Sequence, residues 1–163
     1  MNTLTSNNMF YVTLIIGLIL DWATKYVAQD YFTPTCLLES CKIKAIPILG
    51  DKIYLDLAYN SGIAFGIKVP FWLLKIGTII LIIGIYYYYR EELRQEEDTK
   101  KQNILQVAFG LILAGAIGNG VERVFNERVI DFVGVKYFSI FNLADSFISI
   151  GALFLIYYYY NKK

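Results

Sequence analysis

Two carboxylates set in strongly apolar surroundings are where this sequence points to chemistry. Asp131 lies between Ile130 and Phe132, and Asp145 follows Leu143 and Ala144 shortly before Phe147. Desolvation disfavours the ionised form of an acid placed in this way. Ionisable residues in or beside a membrane span are functional candidates by default. The two acids flank a connection that ends in Phe141 and Asn142. Held within hydrogen-bond reach, two carboxyls cannot both ionise easily and share a proton. One then acts as base toward a water while the other donates to the carbonyl oxygen under attack. Asn142 and Asp145 are three residues apart, so at a helix start they share a face.

This chemistry matters because the alternatives are few. The chain has no histidine, which removes every Ser-His or Cys-His nucleophile pair and the common zinc ligand sets. Acid–base work is left to Asp, Glu, Lys and Tyr. A net charge of +1 gives no reason to expect nucleic acid as a partner. Cys36 and Cys41 fit no metal spacing. They form either a small disulfide loop in an oxidising compartment or two free thiols.

Other polar groups embedded in apolar sequence gather around the acids. Asn119 and Arg123, at i and i+4, project from one side of a helix. Arg123 either anchors itself to Glu122 or Glu127, or holds a substrate backbone and steadies the charged member of the pair. Asp21 and Lys25, also at i and i+4, make either a plain intrahelical ion pair or a support beside the substrate. The stretch NSGIAFG (60–66) is either a turn into the next helix or a loop that lays Asn60 and the backbone at Gly62 against an extended peptide.

The elements that must position these residues are membrane spans. Of 163 residues, 56% are hydrophobic, 17% aromatic and only 18% charged, below the roughly 25% charged usual for soluble proteins. Apolar runs at 10–28, 70–89, 104–121 and 141–160 are each long enough to cross a bilayer. The first lacks the basic leader and small-residue cleavage site of a secretory signal, so a retained helix is expected. Residues 91–102 (EELRQEEDTKKQ) read as a solvated linker. IYLDLAY (53–59) is rich in strand formers, with Gly50 and Asp51 as a turn, so residues 43–66 give a short strand pair or a plain loop. Gly110, Ala114 and Gly118 recur at four-residue steps. That spacing either lets two membrane helices approach closely or reflects ordinary glycine usage. Tyrosine runs at 86–89 and 157–160, each next to basic residues, suggest one membrane boundary on the cytoplasmic side. With four spans, both termini are then cytoplasmic, and Asp21, Asn60, Asn119, Arg123, Asp131, Asn142 and Asp145 collect at the opposite face.

Taken in order, LDWATK (20–25), NSGIAFG (60–66), GNGVER (118–123), VIDF (129–132) and FNLADS (141–146) resemble the bacterial lipoprotein signal peptidases. The resemblance implies a mainly α membrane protein: four transmembrane helices, a small extracytoplasmic β-cradle at 43–66 and a short lid segment, in one integral-membrane domain. It implies an aspartic endopeptidase of the cytoplasmic (inner) membrane, sensitive to globomycin. Such an enzyme cleaves diacylglyceryl-modified prolipoproteins before the lipidated cysteine. The catalytic pair would be Asp131 and Asp145, supported by Asp21, Asn60, Gly62, Asn119, Arg123 and Asn142. No metal or cofactor is implied; the partners are lipidated precursors and membrane lipids, and the chain would act as a monomer. The sequence departs from the family pattern at Glu122, where an aspartate is usual, and at Gly120, usually apolar. It also lacks a glycine near Glu127 and a proline near Ser139.

Two other classes use the same residues differently. A small transporter or binding protein would use Asp21, Arg123 and the acid pair as a polar path. A metal-dependent membrane enzyme would use Glu122, Asp131 and Asp145 as oxygen ligands for magnesium. The presenilin type of aspartic protease is excluded by the absence of its GxGD motif.

Overall fold

The computed structural model describes residues 8–33, 45–62 and 70–162. Four helices, α1 (Asn8–Phe32), α2 (Phe71–Gln95), α3 (Thr99–Asn126) and α4 (Leu143–Tyr160), are long and apolar enough to cross a membrane. At about 1.5 Å per residue, even α4 reaches about 27 Å, close to the thickness of a bilayer core. Most large aliphatic side chains on α1, α2 and α4 are exposed, among them Ile15, Ile19, Ile80, Leu81, Leu153 and Ile156. In water such faces would drive aggregation; around a membrane bundle they meet lipid.

The third helix is the axis of the bundle, buried along most of its length. Small residues make that possible. A Cβ on Gly110 would stand 2.9 Å from Thr13, one on Gly17 2.7 Å from Ala114, and one on Gly118 2.5 Å from Asp21. The steps on α3 therefore match steps of the same size on α1, and the two backbones close on each other. Of the two readings of this spacing, close helix approach is the one realised. Away from the acids, Phe10 stacks on Tyr89 at 4.3 Å, and Leu93, Leu105, Phe109, Leu113 and Tyr158 complete the core.

The tyrosine runs meet at this end. Tyr88 and Tyr159 share a hydrogen bond of 2.6 Å, so the ends of α2 and α4 lie on the same side of the bundle. Tyr89 and Tyr158 turn inward while Tyr87 and Tyr160 are exposed.

The charged stretch at 91–102 joins α2 to α3 and is itself largely helical. Arg94 and Gln95 each pair with Glu91, Leu93 enters the core, and α2 continues to Gln95. Asp98 then caps α3 by accepting from the backbone N–H of Lys100 and Lys101 at 2.7 and 3.2 Å. Short-range pairing and an N-cap carry the helices into this charged stretch.

Four strands, β1 (Ile46–Leu49), β2 (Ile53–Asn60), β3 (Val129–Val135) and β4 (Ile140–Phe141), form one antiparallel sheet in sequence order. The expected strand pair is present, turning at Gly50 with φ +57°. The sheet is not confined to the expected segment, since β3 and β4 add two strands from beyond α3. Cys36, Cys41 and positions 63–66 lie outside the described residues, and the implied lid has no counterpart among those described.

Candidate active site

The site is built where the sheet meets the ends of α1 and α3 and the start of α4. Asp131 sits on β3 opposite Ala58 of β2 and is 2% exposed. Its Oδ1 accepts from the Asn142 Nδ2 at 2.7 Å, and its Oδ2 accepts from the Asn60 Nδ2 at 3.2 Å. The orientation of the Asn60 amide is fixed locally, because its Oδ1 accepts the Gly62 backbone N–H at 3.0 Å. That turn leaves only the NH2 group to face Asp131.

Asp145 belongs to the first turn of α4. Asn142 caps the helix by accepting the Asp145 N–H at 3.1 Å, while the Asp145 Oδ2 accepts the Asn142 N–H at 3.2 Å. This reciprocal cap satisfies two otherwise orphaned donors. With its oxygen used in the cap, the Asn142 amide has its two hydrogens for Asp131, the Ile130 carbonyl and the Asn119 Oδ1. One residue thus fixes the helix start that carries Asp145 and holds Asp131 directly. The remaining Asp145 oxygen accepts from the Asn119 Nδ2 at 2.8 Å.

Burial pushes the Asp131 carboxyl up to about 6, and the nearby Asp145 carboxylate adds to the rise; the hydrogen bonds from Asn60 and Asn142 oppose it. An acid poised there exchanges its proton at neutral pH.

Beneath the acids lies a buried ionic cluster. Lys25 reaches Asp21 at 2.8 Å, Glu122 at 2.6 Å and the Asn119 Oδ1 at 3.0 Å. Asp21 also accepts the Ala144 N–H at 3.0 Å, tying α1 to the first turn of α4. The ion pair between Asp21 and Lys25 therefore exists, and it also supports the site through Asn119. Arg123 makes no ion pair with Glu122 or Glu127 among the described residues. Glu122 is taken by Lys25, while the Arg123 Nε is buried without a hydrogen-bond partner and the residue lines the cavity. Glu122 does not line the space shared by Asp131 and Asp145, so among the described residues these three carboxylates do not converge on one point.

Both acids open into a cavity of about 590 Å³. Asn60, Asn119, Arg123, Ser139 and Ser146 add polar groups, while Val129, Phe138, Ile140, Phe141, Ile148 and Ile150 make apolar walls. An adjoining space of about 410 Å³ shares Asn60 and Asp131 and extends to Ala58 and Tyr59. A few converging polar groups within apolar walls suit an apolar chain presenting one polar bond. Of the sequence candidates, Asp131, Asp145, Asn60, Asn119 and Arg123 line the cavity. Asn142 and Asp21 lie behind it, and Gly62 acts through its N–H. What the sequence did not give for Lys25 is its contacts with Asn119 and Glu122 on α3.

A family model for signal peptidase (SPase) II matches residues 13–161. The chain belongs to the signal peptidase II family. It is 33% identical over 161 residues to the lipoprotein signal peptidase of Anoxybacillus flavithermus, covering 95% of this chain and 88% of that protein. It is 35% identical over 154 residues to the one from Halalkalibacterium halodurans, covering 90% of each. A bacterial membrane enzyme solved by the in meso method at 2.3 Å resolution superposes with a TM-score of 0.75 at 27% identity, covering 96% of this chain and 92% of that one. As a signal peptidase II, the protein is an aspartic peptidase built on four membrane helices and a small sheet.

Proposed function

We propose that this peptidase removes the signal peptide from diacylglyceryl-modified prolipoproteins, cleaving before the lipidated cysteine with Asp131 and Asp145 as the catalytic dyad. The observation that carries the reading is the pairing of two carboxylates through one residue, Asn142, whose side-chain amide holds Asp131 and whose backbone N–H holds Asp145, at the wall of a largely apolar cavity. The signal segment would lie along the apolar wall beside Ile148 and Ile150, leaving its scissile carbonyl over the acids. One carboxylate takes a proton from water as the water oxygen bonds to the carbonyl carbon. The other carboxyl protonates the carbonyl oxygen, giving a neutral tetrahedral diol. As the diol collapses, one hydroxyl returns its proton to the ionised member of the dyad, the C–N bond breaks, and the departing cysteine nitrogen takes a proton from the other member, which restores the starting pair. No acyl-enzyme forms. Base and acid are roles of the coupled pair, not fixed assignments to one residue.

Arg123 supports the reading as a half-buried cation that lines this space and whose Nε has no hydrogen-bond partner among the described residues, suited to a substrate backbone carbonyl. The tyrosine-rich ends of α2 and α4, next to Arg90 and Lys162, favour the cytoplasmic side. Both termini then lie in the cytoplasm and the dyad at the outer leaflet, where lipid chains on the substrate remain in the bilayer. Every group named belongs to one chain, which suits a monomer in contact with membrane lipid.

The test is cleavage of a diacylated precursor peptide by purified protein, with and without globomycin. Asp131→Asn and Asp145→Asn should each abolish cleavage while the protein still inserts and folds. Substantial cleavage by either variant overturns the dyad. Equal cleavage of a precursor without the diacylglyceryl group overturns the substrate class.

A further inference from the structure

Resting on the dyad reading above, we infer that Glu122 is a positioning residue: by closing a cradle around Lys25, it sets the Asn119 amide to donate to Asp145. The chain of contacts runs through buried groups. The Lys25 ammonium donates a hydrogen bond to the Asn119 amide oxygen and is ion-paired with the carboxylates of Asp21 and Glu122. Lys25, Asp21, Asn119 and Glu122 are 3%, 0%, 3% and 8% exposed, so water is a poor substitute for any of them. An ammonium has no acceptor and a carboxylate no donor, so the cradle has one arrangement.

That arrangement dictates the orientation of the Asn119 side chain. A rotated amide would aim its NH2 group at the Lys25 ammonium and at the Asn142 NH2, and its oxygen at the Asp145 carboxylate. All three contacts would be repulsive. With Lys25 in place, the Asn119 oxygen accepts from Lys25 and Asn142, and its NH2 donates to Asp145 at 2.8 Å. The Glu122 carboxylate also faces the backbone N–H of Ile130, the residue before Asp131. It therefore touches the supports of both acids without reaching the cavity.

Charge follows the same geometry. The charged groups around the cluster are Asp21 and Lys25 on α1, Glu122 and Arg123 on α3, Asp131 on β3 and Asp145 on α4. Glu122 offsets a cation that otherwise favours ionisation of the dyad. Removing its charge leaves Lys25 with one carboxylate and strengthens the positive potential at Asp131.

The experiment compares Glu122→Gln and Glu122→Asp with the parent protein and with Asp131→Asn, by cleavage of the diacylated peptide across pH. Glu122→Gln keeps the size and an oxygen toward Lys25 but loses the charge. Its kcat should fall by up to about 100-fold, as expected for misplaced catalytic groups, with KM little changed. The acid limb of its kcat/KM profile should move to lower pH. Glu122→Asp keeps the charge on a shorter arm, so kcat falls but the acid limb stays in place. A Glu122→Gln protein with the parental kcat and acid limb overturns the inference. So does one whose activity loss matches its loss of folded protein, with the limb unmoved. Residual cleavage by Asp131→Asn would instead indict the dyad itself, so the two failures are distinguishable.

Discussion

Replacing Asp131 with asparagine should remove activity and, at neutral pH, make the protein more stable. The carboxyl is raised from an ordinary 3.8 to about 6, mainly by burial, and each pH unit of such a rise corresponds to about 1.4 kcal/mol. Ionising Asp131 in the folded protein therefore costs about 3 kcal/mol. Below the unfolded value the group is protonated in both states and costs nothing. As pH rises through about 6 the folded protein is progressively penalised, and the penalty is complete above that. Asparagine cannot ionise and escapes the penalty. It has a separate cost that does not depend on pH: its own NH2 must face the donor of either Asn60 or Asn142, losing one hydrogen bond at about 1–2 kcal/mol. The difference in stability between Asp131→Asn and the parent should thus grow by about 2.5 kcal/mol between pH 4 and pH 7, leaving the variant ahead by about 1–2 kcal/mol at neutrality. Thermal unfolding of both proteins in one detergent across that range measures it, beside a cleavage assay. A difference that is flat with pH would refute the view of Asp131 as a carboxyl strained by burial.

Three further perturbations probe the frame around the dyad. Gly118→Ala places a Cβ 2.5 Å from the Asp21 carboxylate, whereas a Cβ on Gly84 meets nothing within 4 Å; thermal melts should show Gly118→Ala losing about 1–3 kcal/mol and Gly84→Ala losing nothing. Asn60→Ala removes a hydrogen bond that lowers the Asp131 pKa, so the acid limb of kcat/KM should move to higher pH. Glu127 ends α3 in the left-handed region at φ 60°, a conformation that costs a residue with a side chain roughly 1 kcal/mol, so Glu127→Gly should raise the melting temperature without altering cleavage.

The sequence made the helices legible because each span is one long apolar run. Where that signal stops, at 91–102, charge marks a solvated connection but not how far the helices run into it; the deciding facts are a local Glu91 pairing and the Asp98 cap. The strand β3 went unread for another reason. VIDFVGV carries Val129, Ile130, Val133 and Val135, ample strand signal, but its aspartate drew attention as a motif and not as part of a sheet. The steps of Gly110, Ala114 and Gly118 showed that something could pack closely; their partners Thr13, Gly17 and Asp21 follow only from the paired helices. Least visible was Lys25, whose contact with Asn119 spans 94 positions of sequence. A charge deep in an apolar helix announces that a partner exists, but only the fold supplies its identity.

The way the two acids are mounted explains why a sheet is needed in a protein that is otherwise helical. Asp145 is anchored by a helix cap, and a second carboxylate one or two turns along α4 would sit on the same rigid cylinder with a spacing set by the helix repeat. Asp131 comes instead from β3, whose position is fixed by pairing with β2 at Ala58 and β4 at Phe141. β4 leads through Asn142 directly into α4. Strand and helix are therefore joined at the residue whose amide holds Asp131 and whose backbone holds Asp145. A shift of the sheet relative to the bundle would have to break the helix cap, so the separation of the acids is tied to the most strongly satisfied turn of α4. The ionic cluster at Lys25 braces the same turn from below, through Asp21 to Ala144 and through Asn119 to Asp145. Side chains this buried leave little room for independent motion, and the open cavity above them is where a chain can enter.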